Sequence, residues 1–194
     1  MRAGDVDIEH LSPLQPLLLC LESALKADAH EGGNWVRSED GQRYRSILEP
    51  LGKLLKATIP SNFYVISEEN GTKQFSAYER LIEGRGTEES GNVSQSLTAL
   101  AAAAGNEQLW KPLNFMLMEA CGDERRSEVR KSGVKSLLSI IQALGEEYMV
   151  LLPECLPVLS ELLEDDDETI VVLAKECVHQ GEELLGESLE DSLR

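Results

Sequence analysis

Apolar side chains recur every three or four residues along most of the chain, and this spacing predicts amphipathic helices rather than strands. A polar stretch at 29–41 with three glycines predicts a loop, and Pro60 and Gly105 are expected to end the helices that precede them. The pattern predicts helices over about 8–28, 42–58, 93–104, 107–121, 124–144, 147–163 and 167–185. The chain is therefore expected to be all-α.

Residues 61–92 interrupt this pattern. Phe63-Tyr64-Val65-Ile66 could form a short strand, but no second strand is evident to pair with it, and a lone strand is unstable in water. An extended segment lying on the helices is the other interpretation. A short helix at 75–83 and a loop at 84–92 would complete an insertion between two helices.

A repeat is visible when the chain is shifted against itself by 41 positions. Leucines alone would not align prolines, small residues and helix-ending glycines at a single offset. A period of 41 falls within the range of about 40–47 residues for HEAT and armadillo repeats. The aligned pairs are Pro112 with Pro153, Val129 with Ile170, Gly133 with Ala174, and Gly145 with Gly186.

Each aligned pair has an expected structural role. The prolines belong in the first turns or at a bend of a first helix, where a missing amide donor costs little or produces a kink. The valine and isoleucine would open the second helix and fill the gap between paired helices. The small residues would stand where helices are closest, and the glycines would end the second helix in a left-handed conformation.

The repeat predicts a HEAT/armadillo-like α-solenoid of antiparallel helix pairs. It also suggests three regions, with N-terminal helices at 1–60 and an insertion or loop at 61–92. C-terminal HEAT repeats with a capping helix would occupy 93–194.

Charge narrows the range of partners. The formal net charge is −17, so the surface lacks the basic footprint of a nucleic-acid binder, and proteins with basic faces are the better expectation. One basic cluster on the helix predicted at 124–144 could contact a partner, either RNA or an acidic protein. Alternatively, Arg130 pairs with acids of the next repeat while the other members are solvated. The cluster is Arg125, Arg126, Arg130, Lys131 and Lys135, and the first four are the possible partner contacts.

Few residues of the chain are candidates for catalysis or metal binding. The four cysteines are far apart and lie in apolar helical patterns, which predicts small buried hydrophobic residues in a reducing compartment. The acidic run 164–168 could bind a cation or a basic segment, but it lacks the spaced ligands of a calcium loop. A solvated turn is the alternative for it, and Asp123 and Asp165 are expected to cap the helices that follow. Cys177 and His179 lack further metal ligands nearby.

No nucleophile constellation and no phosphate-binding loop is present, so the sequence predicts no enzyme activity, no cofactor and no metal. No apolar run approaches the roughly 20 residues that cross a bilayer. We therefore expect no membrane among the partners. Because no catalytic or phosphate-binding motif is evident, we also expect no small-molecule substrate.

Several runs of residues resemble one known family. Together they are similar to the C-terminal region of the large HEAT-repeat protein of the small-subunit processome, a member of the Utp-A subcomplex and of the small nucleolar RNA-associated protein family. The resemblance covers about residues 93–193, with a looser fit at 43–57. The runs are Leu109–Asn114, Ser127–Arg130, Leu144–Glu154, Leu159–Asp165 and Glu183–Leu189.

The resemblance implies a non-catalytic scaffold in the nucleus, within the nucleolus, which serves rRNA transcription and early processing of the small-subunit precursor. Its partners would be other processome proteins, with pre-rRNA and the small nucleolar RNA particle contacted mostly indirectly. A general HEAT-repeat adaptor of the transport or phosphatase-scaffold type is the alternative. A metal- or nucleotide-dependent enzyme is a third hypothesis, and the sequence offers it no ligand set.

Overall fold

A computed structural model of the protein describes residues 14–56, 93–189 and 192. The start of the first predicted helix, the strand or extended segment at 63–66 and the short helix at 75–83 lie outside the described residues. Helical structure dominates the described ranges, which contain no strand. The all-α prediction is confirmed.

The helices within these ranges are α1 (Leu14–His30), α2 (Asn34–Arg37), α3 (Gln42–Leu55), α4 (Val93–Ala104), α5 (Glu107–Cys121), α6 (Ser127–Leu144), α7 (Leu152–Leu162) and α8 (Glu168–Leu185). Two 3-10 segments, Glu39–Gly41 and Gly145–Leu151, precede α3 and α7. The bounds predicted for α4 and α5 agree with those observed.

The predicted loop at 29–41 is wrong in part, because it contains α2 and a 3-10 turn. The Asp28 carboxylate accepts hydrogen bonds from the backbone amides of Trp35 and Val36, each at 2.9 Å. Val36 is fully buried. A buried apolar side chain and a capping carboxylate thus order a stretch whose composition indicated only a loop.

The helix predicted at 147–163 is also wrong at its start, since a 3-10 segment occupies 145–151. Gly145 redirects the chain with φ 58° and ψ −136°, and the tight turns that follow bury Tyr148 and Leu151. A regular α-helix begins only at Leu152, with Pro153 in its first turn, where the missing amide donor costs little.

The helices form two layers. Helices α3, α5 and α7 lie in one layer, and α4, α6 and α8 lie in the other. Each helix packs against its partner across the layers and against the next helix in its own layer, while α1 packs on the free side of α4. Stacked helix pairs of this kind confirm the predicted HEAT-type solenoid.

Helix α6 is the centre of the described C-terminal half, because it contacts α4, α5, α8 and the 3-10 segment before α7. Its side chains at Val134, Leu137 and Ile140 are completely buried, and that of Ile141 is nearly so. Burying each such side chain is worth roughly 1.5–3 kcal/mol. Only neighbours on several sides can supply that burial, so the helix pairs must stack.

Val129 and Ile170 lie at equivalent places in the two C-terminal pairs, whereas Pro112 and Pro153 do not. Val129 and Ile170 occupy the first turns of α6 and α8, and both are buried. Pro153 lies in the first turn of α7, whereas Pro112 lies inside α5, and both are exposed.

The two helix-ending glycines differ in conformation. Gly186 adopts the left-handed conformation, with φ 71° and ψ 18°, and its amide donates to the Glu182 carbonyl at 2.8 Å. Gly145 also has a positive φ, but its ψ of −136° lies outside the left-handed helical region. The expectation of a left-handed cap is therefore wrong for Gly145, where the chain must turn directly into the 3-10 segment.

The small residues mark the closest approach of helices. A Cβ added to Gly133 would lie 2.9 Å from both the backbone nitrogen and the sulfur of Cys121 at the end of α5. Ala174, at the equivalent place in α8, is fully buried. One of the two atoms that crowd this position, the Cys121 nitrogen, belongs to the backbone and cannot move independently.

We therefore predict that Gly133→Ala destabilises the protein by about 1–3 kcal/mol through overpacking. Intrinsic helix propensity alone would predict a gain of about 1 kcal/mol. Urea unfolding followed by circular dichroism measures the difference.

The matched control is Gly181→Ala in α8. Its added Cβ would meet only the ends of the Leu189 and Leu152 side chains, at 3.3 and 3.4 Å, which can move aside. We expect a change below about 1 kcal/mol there. Equal effects at the two positions would contradict the close α5–α6 approach.

Candidate functional site

The turns before α6 and α8 lie side by side and are joined by an ion pair. The Arg130 guanidinium, on α6, donates to both carboxylate oxygens of Asp165, with Nε at 2.6 Å from Oδ2 and Nη2 at 3.0 Å from Oδ1. The third guanidinium nitrogen, Nη1, donates to the Asp123 carbonyl at 2.9 Å. Only 17% of the Arg130 side chain and 6% of the Asp165 side chain are exposed. The pair therefore links consecutive helix pairs in a largely dehydrated place.

A second ion pair anchors the turn before α6. The Arg126 guanidinium pairs with the Asp123 carboxylate, with Nε at 3.0 Å from Oδ2, and its Nη1 donates to the Lys56 carbonyl at 2.9 Å. Asp123 Oδ1 also accepts from the backbone amides of Arg125 and Arg126. This turn is thereby tied to the end of α3.

The expectation that Asp123 and Asp165 cap the following helices is wrong. Each carboxylate accepts a hydrogen bond from the backbone amide of the residue two positions later in the chain. This bond stabilises a turn before the helix begins. The cap of α8 is Asp167, whose Oδ1 accepts from the Thr169 amide at 2.9 Å. Arg126 occupies the cap position of α6, without a side-chain cap.

The electrostatics of these turns keep their carboxylates ionised. A hydrogen bond from Arg126 lowers the pKa of Asp123, and one from Arg130 lowers the pKa of Asp165. The backbone amide of Thr169 lowers the pKa of Asp167. In each case the favourable contacts outweigh the opposing cost of desolvation.

The structure does not bring the predicted basic cluster together as one free surface. The guanidinium groups of Arg126 and Arg130 are paired with Asp123 and Asp165. The Arg130 side chain is 17% exposed, whereas that of Arg126 is 40% exposed. Arg125 is exposed, and its side chain forms no hydrogen bond or ion pair with the described residues. Lys131 is partly exposed and contributes to lowering the pKa of Asp167. Arg125 and Lys131 are thus the two of these four residues that form no ion pair with a described residue.

A buried polar network, which the sequence did not indicate, lies between α5 and the next helix pair. The side-chain oxygen of Asn114 accepts from the Tyr148 hydroxyl at 3.0 Å and from the Cys155 thiol at 3.2 Å. Its amide nitrogen donates to Glu154 at 3.3 Å. Asn114 is fully buried, so these partners offset the cost of removing its amide from water. A lone polar residue between Leu113 and Leu117 was the only available signal.

Trp110 joins this network to α4. Its ring lies edge-on to Tyr148, with centroids 5.9 Å apart, and its indole nitrogen donates to the Ala101 carbonyl at 2.8 Å. The tryptophan is 3% exposed and thereby anchors α5 against α4.

Three of the four cysteines are buried and all four are free thiols, but Cys20 is exposed on α1. The expectation that all four are buried is therefore wrong for Cys20, which lies on a face of α1 that the described helices leave uncovered. Burial raises the pKa of Cys121 and of Cys155 to about 12. Buried thiols of this kind stay protonated and are poor nucleophiles.

No cluster of three or more metal-ligating side chains occurs within the described ranges, which include the acidic run and the pair Cys177 and His179. Two members of the acidic run already have partners. Asp165 binds Arg130, and Asp167 binds the N-terminus of α8. In the same part of the chain, no helix combines the length and apolarity required to traverse a bilayer.

Antiparallel helix pairs, stacked through a shared apolar core and bridged by an arginine–aspartate pair, place this chain among HEAT-type α-solenoids. Comparison of the amino-acid sequence with known proteins identifies more specific relatives than the fold does. It is 38% identical over 109 residues to U3 small nucleolar RNA-associated protein 10 of Aspergillus oryzae and 34% identical over 94 residues to human HEAT repeat-containing protein 1. An uncharacterized protein of Arabidopsis thaliana is 42% identical over 95 residues. The resemblance inferred from the sequence is confirmed.

These matches cover 48–50% of this chain but only 4–6% of the length of the relatives. No protein-family model matches the chain, and no solved structure matches it. The similarity therefore concerns one block of helical repeats within much larger proteins.

We predict that Arg130→Gln destabilises the protein by about 2–3 kcal/mol, because the largely buried Asp165 carboxylate loses its charged partner. Urea unfolding measures the change. Arg125→Gln removes the same charge from an exposed side chain, and we expect a change within about 0.5 kcal/mol. A similar loss in both variants would mean that net charge, rather than the bridge, governs stability.

The bridge also predicts a dependence on pH. The folded-state pKa of Asp165 lies below its ordinary value of 3.8, so its ionised form stabilises the fold above that value. This contribution is lost as pH falls from 3.8 through the folded-state pKa.

Urea unfolding of wild type and Asp165→Asn at decreasing pH tests this sign. The stability gap between them should be largest at neutral pH and should shrink progressively below about pH 4. A gap that stays constant down to pH 2.5 would contradict the assignment.

Proposed function

We propose that this chain is part of a non-catalytic scaffold in ribosome biogenesis, which helps to assemble the nucleolar small-subunit processome for rRNA transcription and pre-rRNA processing. The observation that carries the proposal is the similarity of half the chain to U3 small nucleolar RNA-associated protein 10. The stacked helix pairs supply the kind of extended surface on which scaffold proteins assemble others.

The chemistry of the described residues favours a scaffold over an enzyme. The buried Cys155 and Tyr148 serve the network around Asn114, and burial raises the pKa of both, so they stay neutral. Arg130, Asp165 and their neighbours act in the packing of helix pairs. These particular groups are thus engaged in the packing of the protein, whereas Cys20 and His179 are exposed.

Charge favours protein partners over direct contact with RNA. The net charge of −17 opposes a phosphate backbone, and two arginines of the basic cluster are paired internally. We propose that other processome proteins bind this block and that they connect it to pre-rRNA and the small nucleolar RNA particle. Arg125 and Lys131 are the members of the cluster that we retain as partner contacts.

Affinity purification of the tagged chain from nucleolar extract tests the proposal. We expect enrichment of processome proteins, U3 small nucleolar RNA and small-subunit precursor rRNA. After nuclease digestion, the proteins should remain bound while the RNA is lost, because the RNA contact is indirect. Recovery of transport receptors or phosphatase subunits instead would favour the adaptor hypothesis.

A variant with Arg125→Glu and Lys131→Glu tests the contact residues in the same purification. We expect reduced recovery of at least one processome protein, because the reversed charges repel an acidic partner face. Lys175→Glu on the outer helix α8 is the control for added negative charge. Unchanged recovery would remove Arg125 and Lys131 from the interface.

A further inference from the structure

An open groove of about 530 Å³ runs between α3 and α5, the neighbouring helices of one layer. Its apolar lining comes from Leu48 and Gly52 of α3 and from Met116 of α5. A side chain at Gly52 would overlap the Met116 thioether, so the α3 backbone itself approaches α5 here. The groove is large enough to accept bulky side chains of another molecule.

The rim of this groove is basic, although the chain as a whole is strongly acidic. From Gln42 to Lys56 the sequence carries four basic residues and one acidic residue, Glu49. Arg45, Lys53 and Lys56 border the groove, and Arg45 forms no ion pair with any described residue. A positive rim on a protein of charge −17 marks a local preference for an anionic partner.

The two lysines at the rim form ion pairs with exposed glutamate side chains. Lys53 pairs with Glu49 at 2.7 Å, and both side chains are more than 70% exposed. Lys56 pairs with Glu119 of α5 at 2.8 Å, also at the surface. Exposed pairs of this kind contribute little to stability, so their lysines can exchange partners at low cost.

A large apolar side chain that is next to the groove residue Met116 in sequence is exposed on α5. Phe115 is 66% exposed and precedes Met116, and it lies one turn before Glu119 on the outer side of the helix. Exposed apolar surface beside a lined groove and a charged rim is typical of an interaction site.

From this juxtaposition we infer that the α3–α5 groove docks an acidic amphipathic segment of a partner protein. Bulky apolar side chains of that segment would enter between Leu48 and Met116, and its carboxylates would pair with Arg45, Lys53 and Lys56. Helices that lay an apolar face into a groove are a common mode of peptide recognition. Nucleic acid fits less well, because the floor of the groove is apolar and offers nothing to a phosphate backbone.

This inference does not depend on the proposed function, since the groove can be tested with the purified chain alone. The probe is a displayed library of random 16-residue peptides, selected on the full chain. We expect enriched peptides to carry net negative charge, with apolar residues spaced by three or four positions. Their affinity should fall as salt concentration rises.

The decisive comparison uses two charge-matched variants. Arg45→Glu with Lys53→Glu should weaken the selected peptides by about tenfold or more. Lys175→Glu with His179→Glu and Gln180→Glu, on α8, makes the same change in net charge away from the groove and should leave affinity nearly unchanged. Phe115→Ser should also weaken binding, whereas Val172→Ser, at an equally exposed residue of α8, should not. Circular dichroism confirms that each variant is folded.

Several outcomes would overturn the inference. One is the absence of enriched peptides, another is enrichment of basic ones, and a third is equal weakening by both charge variants. Binding of polyuridylic acid that Arg45→Glu with Lys53→Glu abolishes would assign the groove to nucleic acid.

Discussion

Helix α6 sets the constraint on which the described C-terminal half depends. Its apolar residues cover more than one face, and several of them are excluded from water completely. A single antiparallel partner can cover only one side of such a helix, so α4 and α8 must flank it while α5 covers it across the layers. The stacking of pairs, and hence the solenoid, follows from that one requirement.

Apolar burial alone does not determine how far one pair is rotated against the next. Directional contacts add that information, because a bidentate arginine–carboxylate pair tolerates little change in distance or angle. Arg130 with Asp165 supplies one such contact at the turns, and Asn114 with Tyr148 and Cys155 supplies another inside the stack. A wrong rotation would leave these buried groups without partners, at a cost comparable to a lost hydrogen bond or more.

The internal ion pairs also determine which charged side chains remain available to partners at the surface. Arg126 and Arg130 of the basic cluster are paired with aspartates of the chain itself, and the chain as a whole carries a net charge of −17. The α3–α5 groove departs from this rule, with its basic rim and apolar floor. A scaffold needs such local differences, because a uniformly acidic surface would not discriminate among protein partners.

The main α-helices, the 41-residue repeat and the similarity to HEAT-repeat proteins of the processome could be predicted from the amino-acid sequence. These features rest on local periodicity and on residues whose backbone preferences are their own, such as proline and glycine. The sequence left open whether Arg130 pairs with an acid of the next repeat, and the fold shows that this acid is Asp165. The burial of Asn114 and the exposure of Cys20 emerged only from the packing of the helices. Those outcomes depend on the distance and rotation between helices far apart in the chain, and no local pattern encodes them.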